Sequence, residues 1–156
     1  MMDIANLMGK VADADMSAGG VYLLPGDYRL KVRECKNGEA KNAGFPFFVV
    51  EFEVLESTEP KRPAGSITEW MVAFKEPKYE ATYLGNVKNF LWAVFAGFDP
   101  NATPEKINAQ VWALCVSEQQ PLRDRYVAAQ SVDKAKKNSP GSFTRTTFSP
   151  WAGPGV

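Results

Sequence analysis

The chain has 156 residues, of which 45% are hydrophobic, and its 18 basic and 18 acidic residues give a formal net charge of zero. This length suits one packed domain, and this apolar content excludes disorder along the whole chain. Because the net charge is zero, only local clusters of charge can predict nucleic-acid binding. The chain contains no histidine, so a Ser-His-Asp triad, a Cys-His dyad and any zinc site with a histidine ligand are excluded.

The two cysteines, Cys35 and Cys115, are too few for a four-cysteine zinc site, and we expect both to be buried free thiols. The sequence has no run of about 18 apolar residues, so no membrane span is predicted. Residues 1–20 are small, polar and weakly patterned, and their apolar stretch is too short and broken for a signal peptide. We therefore expect an N-terminal arm over residues 1–20 and a cytoplasmic protein.

Three strands are predicted in the first half of the chain. Apolar and basic residues alternate over 28–33, which indicates a half-buried first strand. Loops over 36–45 and 56–65 separate it from a second strand over 47–55 and a third over 66–74. The apolar sets that share a face are Tyr28, Leu30 and Val32; Phe48, Val50, Phe52 and Val54; and Trp70, Val72 and Phe74.

A helical segment follows the third strand. Apolar residues recur at helical spacing from Tyr79 to Ala96, and Gly97 is placed to end this helix. The triplet at 103–105, Thr-Pro-Glu, is typical of a helix start and predicts a second helix to about Glu118. Its inward residues would be Ile107, Val111, Leu114 and Cys115. The alternative is a strand over 111–116, since Val and Trp favour strands.

Two further strands, over 125–132 and 142–148, complete the pattern, and residues 150–156 are expected to form a mobile tail. Three strands, a helical segment and two strands match the order of an OB-fold, which is a five-stranded Greek-key barrel. We therefore predict a mainly β fold with helices (α+β), with this barrel over 21–149. The loops after strands one and four flank the binding face of an OB-fold; here they are 36–45 and 133–141, both rich in Lys, Asn and Gly.

Over most of residues 22–148 the chain resembles the OB-fold single-stranded-DNA-binding proteins of tailed bacteriophages. The stretches that carry the resemblance are LLPGDYRLKV, FFVVEFEVLES, NVKNFLWAVFAG and QQPLRDRYVAAQSVDKAKKNSPGSFTRTTF. They are patterns of residue type and not catalytic signatures. The resemblance implies sequence-independent binding of single-stranded DNA in phage-type replication or recombination, in the cytoplasm of an infected bacterium. Bacterial-type members usually end in an acidic tail that recruits replication partners, whereas this chain ends SPWAGPGV. The resemblance therefore does not extend to recruitment through such a tail, and it identifies no partner proteins.

Single-strand binding needs cations along a groove and flat side chains on which bases stack. The cations expected on one side of the fold are Arg29, Lys31, Arg33, Lys36, Lys41, Lys134, Lys136, Lys137 and Arg145. Each of these, taken alone, is more commonly a solvated surface charge. Among the aromatic residues, Phe47 opposes the core face, and Phe143 shares a face with Arg145. Trp70 fits the core and the binding face equally, because a register shift of one residue moves it from one to the other.

The remaining aromatic residues carry less weight: Trp112, Tyr126, Phe148 and Trp151 are candidates for core filling as much as for stacking. The closest approach to a metal or acid–base cluster is the acidic set Glu51, Glu53, Glu56 and Glu59, for which a solvated strand edge is the commoner explanation. No phosphate-binding loop or nucleophile motif is present. We therefore predict no catalytic residue, metal or cofactor, and a protein that is not an enzyme.

The alternative function is a structural virion or assembly protein built on the same barrel. Zero net charge and the apolar ends MMDIANLM and SPWAGPGV leave it open, and the sequence is compatible with a homo-oligomer. A continuous positive groove would favour DNA binding, whereas scattered charges with an apolar patch would favour assembly.

Overall fold

The computed structural model of the chain describes residues 22–40, 44–135 and 142–155, with the backbone alone for Ala135, Ser142 and Phe143. The elements within these ranges are β1 (Gly26–Glu39), β2 (Pro46–Ser57), β3 (Ile67–Ala73), α1 (Glu80–Ala96), α2 (Ala109–Cys115), β4 (Tyr126–Ala135) and β5 (Ser142–Pro150). The predicted order of three strands, a helical segment and two strands is confirmed. The arm predicted over 1–20 lies outside the described residues. None of the described helices is long and apolar enough to cross a membrane.

The five strands form one antiparallel sheet in the order β3-β2-β1-β4-β5, so β3 and β5 are its edges. The sheet is strongly curved, as shown by the contact across the core between Trp70 of β3 and Phe148 of β5, whose ring centroids lie 4.7 Å apart. No ladder between the two edges occurs in the described part of the chain. The fold is therefore mainly β, an open antiparallel sheet with helices.

Helix α1 lies over the opening between the two edges. Its buried side chains are Val87, Phe90, Leu91, Ala93 and Val94, which confirms the centre of the predicted apolar stripe. On the same helix, Asn89 pairs with the backbone of Phe148 in β5. Asn89 Nδ2 donates to the Phe148 carbonyl at 3.1 Å, and its Oδ1 accepts from the Phe148 N–H at 2.9 Å. One side-chain amide thus takes the place of a neighbouring strand at this edge.

The predicted inward faces of β1 and β2 are confirmed. Tyr28, Leu30 and Val32 are buried, as are Phe48, Val50, Phe52 and Val54. A register irregularity between Val32 and Glu34 sets two residues, Arg33 and Glu34, against one position of β2, and Cys35 then returns to the core. This bulge lets β1 continue to Glu39, so Lys36 lies on a strand, whereas the sequence placed it in a loop.

The second predicted helix is shorter than expected. Pro104–Lys106 forms a single 3-10 turn, after which Ile107 and Asn108 adopt extended backbone angles. Helix α2 begins only at Ala109, where Asn108 Oδ1 accepts a hydrogen bond from the Val111 N–H at 3.0 Å. The alternative of a strand over 111–116 is therefore wrong, because residues 111–115 are helical.

The inward face of this helix was predicted only in part. Cys115 is fully buried, and Ile107 and Val111 pack against the core from partly exposed positions. Leu114, in contrast, is 42% exposed. The helix is too short and too peripheral to bury every apolar side chain along its length.

Within the predicted tail, Trp151 and Gly153 contact the fold. The Trp151 ring centroid lies 5.4 Å from that of Tyr126. A Cβ added at Gly97 would come within 2.7 Å of the Trp151 carbonyl oxygen. Gly97 has a right-handed φ of −68°, so glycine is needed here for the close approach of the C-terminal segment and not for a left-handed helix end.

Both cysteines are buried free thiols, as predicted. Burial raises the pKa of Cys115 to about 12, and burial raises the pKa of Cys35 as well. The backbone of Cys35 is hydrogen-bonded to the side chain of Gln120, which continues the hydrogen bonding along β1. Gln120 Oε1 accepts from the Cys35 N–H and Gln120 Nε2 donates to the Cys35 carbonyl, each at 2.8 Å. The amide continues the pairing of β1 beyond the first residue of β4.

Candidate nucleic-acid interface

The outer face of the sheet, opposite the core, is the surface on which the predicted binding residues were expected. Cross-strand pairing aligns Arg29 of β1 with Ala128 of β4, and Lys31 with Tyr126. The same side carries Glu51 and Glu53 of β2. Arg29, Lys31 and Arg33 do lie on this outer face, away from the buried residues that alternate with them.

These three cations are already paired with carboxylates. Arg29 contacts Glu56 at 3.0 Å, and Arg33 contacts Glu51 at 2.9 Å. Lys31 contacts Asp124 at 3.7 Å. The centre of the outer face therefore carries alternating charges and not a positive strip. Two of the acidic residues considered for a metal or acid–base cluster serve as arginine partners. Over the ranges that the structure describes, no three acidic or thiol side chains gather as a metal site.

Two shallow grooves cross this face. One, of about 390 Å³, runs over the small side chains of Ala128 and Ser149 and is bordered by the Arg29–Glu56 pair. The other, of about 400 Å³, is polar and is lined by residues that include Lys31, Arg33, Glu53 and Arg123. Tyr28 and Gln130 also line the first groove.

The β1–β2 end of the outer face joins aromatic rings with lysines. Phe47 is half-buried, and its ring lies over Gly38 of the neighbouring strand, where any Cβ would clash with it. Covering a strand glycine in this way also stabilises a sheet. Lys75 Nζ lies 5.4 Å from the Phe45 ring centroid. Lys36 is exposed on β1, and Lys41 lies outside the described residues.

The β4–β5 end carries Lys134 and Arg145. Both are exposed, and the register pairs Val132 with Arg145 and Lys134 with Phe143. Neither cation forms a salt bridge to another described residue. The side chain of Phe143 and the residues Lys136 and Lys137 lie outside the described part of the chain.

Trp70 belongs to the core and not to the binding face. Its ring centroid lies 5.5 Å from that of Phe90 and 6.1 Å from that of Phe48. These contacts, together with the one to Phe148, surround the indole with core rings. The curvature of the sheet brings them together, and alternation along β3 alone could not show it.

A cluster beside the outer face includes two residues, Arg125 and Phe98, that sequence reasoning did not single out. The Arg125 guanidinium carbon lies 3.8 Å from the Phe98 ring centroid, and the Arg29 guanidinium carbon lies 5.2 Å from the Trp151 ring centroid. Tyr126 stands between the two pairs, because it contacts Trp151 and follows Arg125 in the chain. The run Arg123-Asp124-Arg125 at the start of a strand was the available signal; the partner Phe98, from the segment after α1, was not predictable.

The fold and this face define an α+β protein with an open antiparallel sheet, whose solvent side has paired charges at its centre. Its margins carry aromatic rings and cations. In comparisons with known proteins, no protein-family model matches the chain, and no curated protein matches it.

Proposed function

We propose that this protein binds single-stranded DNA without sequence specificity, along the outer face of an OB-fold barrel. An OB-fold is a partly open five-stranded Greek-key barrel with a nucleic-acid-binding face. The strand order β3-β2-β1-β4-β5, the curvature that brings β3 and β5 together, and the helix over their opening support this assignment. The proposed setting is phage-type replication or recombination in the cytoplasm of an infected bacterium.

The observation that carries the proposal is the solvent-side position of Phe47 together with cations at both ends of the same face. Phe47 lies opposite the buried Phe48 and is half-exposed, so part of its ring is available to a base. Lys134 and Arg145 lie at the far end of the sheet and have no carboxylate partner among the described residues. A strand crossing between these ends would place bases on rings and phosphates on cations.

The ion pairs at the centre of the outer face lower its expected affinity for phosphates but do not prevent binding. The Arg29 and Glu56 side chains are 54% and 63% exposed, and an exposed ion pair contributes only about 0–1 kcal/mol. Stacking of one base contributes about 1–3 kcal/mol. A phosphate can therefore displace a carboxylate from its arginine at a cost below the gain from one stacked base.

Sequence independence follows from the chemistry of the surface. Contacts to phosphates carry no information about the bases, and stacking accepts every base because each has a flat face. The protein would coat exposed strands and carry out no reaction of its own. We propose, accordingly, that it is not an enzyme.

The competing function is assembly into a larger structure, and one observation favours it. The charges at the centre of the outer face are interleaved, while α1 and the turn before it expose Leu84 and Tyr79 at 43% and 48%. An exposed apolar end on a helix suits contact with another protein more than with DNA.

A titration separates the two functions. Fluorescently labelled oligo-dT and a duplex of equal length are titrated with the protein over a series of salt concentrations. We expect tighter binding to oligo-dT, because a duplex keeps its bases stacked on one another. Equal affinity for both, or binding of neither, contradicts the proposal. A mass above that of one chain by light scattering, without oligo-dT binding, favours assembly.

A further inference from the structure

Arg125 is held in a fixed position without being neutralised. Its guanidinium carbon lies 3.8 Å from the centroid of Phe98, a separation at which a planar cation stacks on a ring. Phe98 is 40% exposed, and Arg125 is exposed too. Within the described ranges, Arg125 forms no salt bridge. The acid next to it, Asp124, contacts Lys31 instead.

The aromatic residues around this arginine are closely packed against backbone. A cleft of about 80 Å³ is lined by Phe98, Arg125, Tyr126 and Trp151, and also by Asp124, whose carboxylate contacts Lys31. The carbonyl of Trp151 lies close to Gly97, and the ring of Tyr126 lies close to Gly153, where an added Cβ would come within 2.6 Å of it.

The cleft lies beside the first groove of the outer face. Arg29 borders that groove, and its guanidinium carbon lies 5.2 Å from the Trp151 ring centroid. A chain leaving the groove past Arg29 therefore meets Trp151, then Tyr126, then Arg125.

We propose that Phe98, Arg125, Tyr126 and Trp151 form a subsite for one further nucleotide of the bound single strand, with Arg125 on its phosphate and the Trp151–Tyr126 rings against its base. This subsite rests on the proposed function and extends it beyond the sheet. The cleft has room for a phosphate group but not for a whole nucleotide, so the base lies outside it against the rings. A planar guanidinium donates to phosphate oxygens in a fork geometry, and aromatic rings stack on bases of any identity.

The test is a series of oligo-dT lengths titrated with wild type, Arg125→Ala and a control, Lys88→Ala. Lys88 is exposed on α1, so its replacement by Ala removes one positive charge at a site away from the cluster. We expect Arg125→Ala to lose roughly tenfold in affinity for long oligonucleotides and much less for those too short to leave the groove. Lys88→Ala should bind as wild type does at every length. Arg125→Lys keeps the charge without the planar stack on Phe98 and should recover only part of the affinity.

The outcomes are distinguishable. If wild type binds no oligo-dT, both the function and the subsite fail. If wild type binds and Arg125→Ala matches it at every length, the subsite alone fails. If an acidic peptide binds wild type but not Arg125→Ala, and Arg125→Ala binds oligo-dT as tightly as wild type does, the cluster is a protein-contact site and the subsite is overturned. Thermal melts exclude unfolding, and Phe98→Ala repeats the test if Arg125→Ala does not fold.

Discussion

At the scale of single residues, Phe47 and Phe48 are adjacent in β2 and lie on opposite faces of the sheet. Phe48 is fully buried and contacts the rings of Trp70, Phe90 and Trp112. We expect Phe48→Ala to lower the free energy of unfolding by about 3–5 kcal/mol. Phe47→Ala should instead weaken oligo-dT binding by roughly tenfold, with only a small loss of stability from uncovering Gly38.

Thermal melts and oligo-dT titrations of the two variants check this contrast. Because the residues are adjacent, one serves as the control for the other. If Phe47→Ala is the variant that unfolds, the role assigned to its ring is wrong. If Phe47→Ala binds as tightly as wild type, this end of the outer face does not contact DNA.

Gln120 contributes to stability through the backbone of a residue distant in sequence. Its amide satisfies both the N–H and the carbonyl of the buried Cys35. Gln120→Ala leaves these two groups unpaired, and each buried unpaired group costs about 1–3 kcal/mol. We expect a fall of at least about 1 kcal/mol in the free energy of unfolding in urea. Gln119→Ala, at the exposed neighbouring position, should change it little; equal effects would mean that the pairing contributes nothing.

At the scale of the elements, the strands were predictable and their partners were not. Alternation along β1 and β2 shows which side chains face inward, because side chains of a strand point to opposite faces in turn. The helix-start pattern at Thr103-Pro104 is followed by a single 3-10 turn. The longer helix begins at Ala109 and is capped by Asn108. No local pattern could show the contacts of Asn89 with β5, because they join residues far apart in sequence.

The same limit applies to the candidate site. Sequence reasoning placed Arg29, Lys31 and Arg33 on the outer face, where the structure has them. It did not find their carboxylate partners, since Glu56, Asp124 and Glu51 come from other parts of the chain. Trp70 could not be assigned, because its position depends on curvature of the whole sheet.

The β4–β5 hairpin gives a prediction about an element. Lys134 and Arg145 are exposed near its end, and each neutralised phosphate of a single strand adds about 0.7 to the slope of log affinity against log salt. The double variant Lys134→Glu/Arg145→Glu should therefore bind oligo-dT more weakly and with a slope shallower by about 1.4. Lys88→Glu/Lys106→Glu makes the same charge change away from the face. An unchanged slope in the folded hairpin variant would show that this hairpin does not contact the strand.

At the scale of the whole molecule, the proposed function predicts that the carboxylates sharing the outer face with the arginines limit the affinity for single-stranded DNA. Glu51 and Glu56 hold Arg33 and Arg29, and they would repel phosphates that approach the same cations. The double variant Glu51→Gln/Glu56→Gln should bind oligo-dT more tightly than wild type, because both arginines are released and two like charges are removed from the path. Its salt slope should become steeper, since more phosphates are neutralised by free cations.

The control for net charge is Glu80→Gln/Glu118→Gln, which removes two exposed acidic residues away from the sheet. If both double variants gain affinity equally, the effect reflects net charge and not the outer face. If only Glu51→Gln/Glu56→Gln gains, the strand passes over the paired arginines. A gain in self-association without a gain in oligo-dT binding would instead favour the assembly function, because removing charge from a protein-contact surface lowers the cost of burying it.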